Sequence, residues 1–99
     1  MERLSFEKGR VVLSLQGRDE GRYFIVLAKE GEDSVLMADG LTRKLSHPKK
    51  KKIKHLHAKP VLIDLDAVRP EGGPVQDSDL RKALAENGFA PERSLCKEG

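Results

Sequence analysis

Short apolar stretches alternate with turn residues over the first part of the chain. Residues 9–15 read Gly-Arg-Val-Val-Leu-Ser-Leu, and Val11, Leu13 and Leu15 alternate as one face of a strand requires. Residues 16–22 carry two glycines, Gly17 and Gly21, with Asp19 between them, which is turn punctuation. Residues 23–27, aromatic and β-branched, predict a second strand. Gly31 centres a polar hairpin turn, and residues 35–38 predict a third strand ended by Asp39-Gly40. Residues 42–45 suit a short fourth strand interrupted by Pro48, which has no donor for a ladder. One more strand is expected within 54–65, where Val61, Ile63 and Leu65 alternate. Short strands joined by tight turns predict a small antiparallel barrel or strongly bent sheet, since closure hides adhesive edges.

The remainder changes character. Residues 69–74 read Arg-Pro-Glu-Gly-Gly-Pro, a linker. A helix is expected over 77–87, with Asp77 as its cap and Asp79 in the first turn. Leu80, Ala83 and Leu84 fall at i, i+3 and i+4, and Gly88 supplies a left-handed stop. The resulting division is a β domain over 1–66 with a basic segment at 43–59, a linker over 67–76, a helix over 77–88 and a flexible tail over 89–99.

Charge sharpens this picture. The 99 residues hold 19 Lys+Arg against 16 Asp+Glu, a formal net charge of +3. No acidic residue lies between Asp39 and Asp64, where Arg43, Lys44, Lys49, Lys50, Lys51, Lys52, Lys54 and Lys59 fall together. His47, His55 and His57 join them. A basic block on an otherwise acidic chain is a local field that attracts an anionic partner at one place. Taken alone, a lysine run is also a common solvated segment. Here Leu41 and Leu45 precede it and Ile53, Leu56 and Val61 follow, which tethers it to a folded body.

Residues 17–22, set between Val11-Val12-Leu13 and Ile25-Val26-Leu27, resemble the KOW motif of ribosomal and transcription-elongation proteins. The order of Gly9-Arg10-Val11-Val12, this loop, residues 35–40 and a basic segment ending Lys54-His55-Leu56 is similar to the fourteenth large-subunit ribosomal protein of eukaryotes and archaea. Short bacterial KOW-domain RNA-binding proteins look closer still, sharing the Ala38-Asp39-Gly40 turn, the lysine run and a terminal helix. Where many KOW motifs place another glycine, this chain has Phe24, which suits a more packed strand. The resemblance implies an SH3-like barrel that binds RNA, ribosomal RNA or the ribosome above all.

On residue types alone, the 17–22 loop reads first as a hairpin turn whose Arg18 and Arg22 pair with Asp19 and Glu20. The resemblance makes them phosphate ligands instead. The expected RNA contacts are Arg18, Arg22, Arg43, Lys44, Lys49, Lys50, Lys51, Lys52, Lys54 and His55, with Gly17, Gly21 and Gly40 shaping the turns. Lysines carry charge but little base-reading geometry, so backbone-dominated binding is expected. Five phosphate contacts from this segment give a log–log salt slope of about −4 to −5. The four aromatic residues, Phe6, Tyr23, Phe24 and Phe89, are too few for base stacking, which favours structured RNA over an unpaired strand. A rival reading makes the chain an SH3-like protein-interaction module that docks a partner through the 80–84 helix face.

Other chemistry finds little footing. His55 and His57 lie two apart, but the segment offers no third ligand, so no metal is expected. Asp64 and Asp66 read as surface carboxylates, and no serine sits in a nucleophile elbow. Neither enzymatic activity nor a cofactor is expected. The single Cys96 cannot form an internal disulfide. The longest apolar run, 23–28, is too short to span a bilayer, and the first residues lack a signal-peptide pattern. These features lead to the expectation of a cytoplasmic protein without a membrane partner.

Overall fold

Val11 and Val12 are neighbours on one strand and point to opposite faces, yet both are fully buried. Phe24, Ile25 and Val26 repeat this on the next strand. The sheet is therefore covered on two sides, and the architecture follows from how each side is covered. A computed structural model of the protein describes residues 5–65 and 74–89. Its strands are β1 (Arg10–Ser14), β2 (Tyr23–Lys29), β3 (Ser34–Ala38), β4 (Lys49–Lys52) and β5 (Leu56–Leu62). A 3₁₀ turn, Ile53–His55, joins β4 to β5, and the helix α1 spans Asp77–Glu86. The sheet is antiparallel, in the order β4-β3-β2-β1-β5.

That order forces curvature. β4 and β5 lie at opposite ends of the sheet, which in a flat sheet is about 19 Å apart across four strand spacings. Three residues of 3₁₀ turn advance the chain by only about 6 Å. The sheet therefore curls until its two edges approach at this corner. Register shifts between Arg10 and Val12 and between Val26 and Ala28 bend the strands that must curl. The ladder does not close, because β4 and β5 do not pair.

The concave side encloses Val12, Phe24, Val26, Val35, Met37 and Leu56, with Phe6 and Ile53 packed against them. On the other side Val11, Ile25, Ala38, Ile63 and Leu65 meet Leu80, Ala83 and Leu84 of α1. The helix thus belongs to the β domain's own core. Its expected partner-docking face is spent inside the molecule, with Leu80 and Leu84 almost wholly buried. Phe89 lies just past the helix and sets its ring 4.7 Å from that of Tyr23.

Several expectations need correction. Residues 42–45 form no strand, because the Asp39 carboxylate accepts the N–H groups of Leu41, Thr42 and Arg43, each at 2.9 Å, and wraps them into a turn. The lysine run itself is the fourth strand, with Pro48 just before it. The last strand stops at Leu62, although Ile63 and Leu65 remain buried beyond it. The helix starts from Gln76, whose N–H is accepted by the Asp79 carboxylate at 2.8 Å, so Asp77 is not the cap. Gly88 does adopt the left-handed conformation that ends the helix, with φ 85°. Most of the expected linker and tail, with Asp66 and Cys96, lies outside the described residues. Among the described residues, no helix is long and apolar enough to cross a membrane.

Because Leu84 fills the helix–sheet contact, Leu84→Ala is expected to lower unfolding free energy by about 2–5 kcal/mol. Urea unfolding followed by far-UV circular dichroism measures this. A loss below about 1 kcal/mol contradicts the docked helix.

Candidate nucleic-acid interface

The expected RNA contacts lie on three segments: the β1–β2 loop, the β3–β4 loop and strand β4 with its 3₁₀ turn. The β1–β2 loop is closed at its neck by Gly21 N–H to the Ser14 carbonyl at 2.9 Å and Ser14 N–H to the Arg22 carbonyl at 3.0 Å. Gly17 and Gly21 both take positive φ there, as turn-shaping residues should. Asp19 is buried at the base of the loop. Its partner is neither Arg18 nor Arg22 but Arg43, 3.1 Å away and 24 residues on. Arg18 and Arg22 consequently make no ion pair among the described residues. The N–H groups of Gly17 and Arg18, both exposed residues, likewise have no acceptor there.

Arg43 stands apart from the other expected phosphate ligands. Its guanidinium is committed to Asp19, and its Nε is buried without a partner. It acts as a strut between two loops, leaving Lys44 next to it exposed. The β3–β4 loop is itself seated on α1. Gly40 has φ 78°, and a Cβ there would lie 2.2 Å from the Asp77 carbonyl oxygen, so only glycine fits. The Asp77 carboxylate accepts the Leu45 N–H at 2.8 Å, and the Arg81 guanidinium donates to the Gly40 carbonyl.

Strand β4 divides its four lysines by the alternation of a strand. Lys49 and Lys51 stand opposite Met37 and Val35, on the side of the concave core, and are half-buried. Lys50 and Lys52 stand opposite Leu36 and Ser34 and are exposed. The Lys51 amine donates to the Gln16 carbonyl at 2.8 Å, so β4 is pinned to the β1–β2 loop beside Gly17. Lys52 meets Asp33 at 3.5 Å on the surface. Lys49, Lys50 and Lys54 make no ion pair among the described residues. The run is therefore an ordered strand with two lysines on each face. Its lysines also guard an exposed sheet edge.

The Lys52 amine, together with a hydrogen bond from Ser34, holds the Asp33 carboxyl below its ordinary value. Asp33, Glu32, Lys52, Ile53 and Lys54 line an open pocket of about 330 Å³ at this corner. Its walls carry both signs of charge.

His55 lies in the 3₁₀ turn and His57 on β5, so the pair does not share a strand face. Among the described residues, no three metal-ligating side chains come together. The His55 carbonyl accepts the Leu15 N–H at 2.9 Å, and the residue is half-buried. The aromatic residues are all used in packing. Phe24 is buried, Phe6 leans on the concave core, and Tyr23 and Phe89 face each other. Residue pattern alone did not single out Asp19, Asp39, Asp77 and Arg81 as organisers of this surface. Their partners are loop amides, a loop carbonyl or a distant arginine, and sequence spacing carries no trace of the distant ones.

A scan against protein-family models finds no match to this chain. A search of curated proteins likewise finds no matching sequence.

Removing the strut with Arg43→Gln leaves Asp19 buried without its counter-charge. The expected cost is about 1–3 kcal/mol, read by urea unfolding. A neutral effect contradicts the strut. For Asp33, the lowered folded-state pKa means the pair's contribution is present above the ordinary carboxylate range and lost as pH falls through that lowered pKa. NMR titration should place the Asp33 midpoint below that of an ordinary Asp, and Lys52→Gln should raise it. An unmoved midpoint contradicts the pairing.

Proposed function

We propose that this protein is a KOW-type RNA-binding protein with an SH3-like β domain, and that it grips structured RNA through phosphates. The observation that carries the reading is the joining of the three cationic segments. Asp19–Arg43 ties the first loop to the second, and Lys51–Gln16 ties β4 to the first. Arg18, Arg22, Lys44, Lys49, Lys50 and Lys54 are thereby carried on one connected framework, without acidic partners among the described residues. A curled five-stranded sheet whose last strand returns to its first supports the SH3-like reading.

The chemistry favours phosphate over base recognition. All six of those cations present charge from exposed or half-buried positions on loops, a strand edge and the 3₁₀ turn, where counterions are released on contact with a polyanion. Lysine ammonium groups are point charges and do not enforce the bidentate geometry of base reading. The packed aromatics offer no stacking platform for unpaired bases. A folded RNA with a dense phosphate surface fits this arrangement, and ribosomal RNA is the prime candidate. The docking face named for the protein-module alternative, Leu80 and Leu84, is itself buried against the sheet.

The test uses a fluorescently labelled RNA hairpin and the double variant Lys50→Gln, Lys54→Gln. Neither side chain has a structural partner among the described residues, so the melting temperature should stay near that of the parent. Affinity should fall, and the log–log salt slope should flatten by about 1 for each lost contact. Unchanged affinity and slope contradict this surface as the binding site.

A further inference from the structure

Helix α1 does more than cover the sheet. Burial of Leu80, Ala83 and Leu84 would suffice for a cover. Yet two polar residues of its first turns, Asp77 and Arg81, converge on one other place, the β3–β4 loop. The Asp77 carboxylate would ordinarily serve amides at its own helix end. Instead it accepts the N–H of Leu45. One turn on, the Arg81 guanidinium reaches the Gly40 carbonyl. Between them the Asp77 carbonyl occupies the space where a Gly40 side chain would begin. The loop is thus held at two points, Gly40 and Leu45, by two residues one helical turn apart.

What lies between those grips is Arg43 and Lys44. Arg43 continues the chain of contacts to Asp19, at the base of the loop that carries Arg18. That loop is bonded in turn to Lys51 on β4. A continuous series of contacts therefore runs from α1 through both loops to the lysine strand. Surface loops otherwise sample many conformations, and ordering them on binding reduces affinity.

We propose that Asp77 and Arg81 are positioning residues for the cationic surface, so that α1 presets the two loops for a polyanion it does not itself touch. This rests on the RNA-binding reading, and deepens it by assigning the helix a role in that same site. The coupling is reciprocal, so bound RNA should also slow exchange of the Leu45 amide.

The sign of charge makes the idea testable. Asp77→Ala removes a negative charge, so attraction to RNA by net charge alone predicts tighter binding. Positioning predicts weaker binding. The experiment measures affinity of the full chain for a labelled RNA hairpin across a salt series. It compares the parent with Asp77→Ala, Arg81→Met, Arg81→Lys and Lys82→Gln, the last being an exposed cation on the same helix. Asp77→Ala and Arg81→Met should weaken binding about 3- to 30-fold, with the salt slope kept, because no phosphate contact is lost. Arg81→Lys should restore part of the affinity, and Lys82→Gln should change little. Equal or tighter binding by Asp77→Ala overturns the proposal, as does a flattened slope in Arg81→Met, which marks direct contact. If Asp77→Ala fails to fold, the Arg81 pair decides by the same criteria. A parent chain that ignores the hairpin at low salt overturns the RNA reading itself, and the positioning proposal with it.

Discussion

A sheet that is apolar on both faces cannot stand alone in water. Val11 and Val12, side by side on β1, impose that condition, and Ile25 beside Phe24 and Val26 repeats it on β2. One face is covered when the sheet curls over itself around Phe24 and Met37. The other has no covering within the strands and requires α1. Burying a leucine-sized side chain contributes about 1.5–3 kcal/mol, so Leu80 and Leu84 together matter on the scale of a small domain's whole stability. Deleting the helix would expose the face lined by Val11, Ile25 and Ala38.

That packing requirement has a consequence for the surface. Once the helix is seated by its apolar face, its polar groups fall against the β3–β4 loop. The loop is then fixed through Gly40 and Leu45, and Arg43 is aimed at Asp19. The loops that carry Arg18 and Lys44 inherit their placement from core packing. Here the step from hydrophobic burial to a candidate binding surface passes through a few named hydrogen bonds and one ion pair.

Local signals made part of this legible in advance. The i, i+3, i+4 spacing of Leu80, Ala83 and Leu84 with Gly88 behind it marked the helix to within a residue at its end. The glycines at 17 and 21 marked the β1–β2 loop, and residues 23–27 and 35–38 marked two strands. Strand β4 was not legible, because four consecutive lysines have poor strand propensity and only pairing with β3 makes them one. The alternation Val11, Leu13, Leu15 suggested a single buried face; Val11 is buried under the helix, but Val12 is buried on the opposite face by the curled sheet, and Leu15 lies exposed past the end of β1. The Arg18–Asp19 neighbourhood suggested local pairing, whereas the burial of Asp19 favours a strut from Arg43 across the fold. Non-local contacts of this kind leave no periodic trace in a single chain.

The most direct test of the account is a backbone-amide NMR titration of the full chain with an RNA hairpin at low salt. The account predicts shifts concentrated at residues 16–22, 43–45 and 49–55, fading together as salt is raised. Shifts confined to other parts of the molecule, or none at low salt, would contradict it.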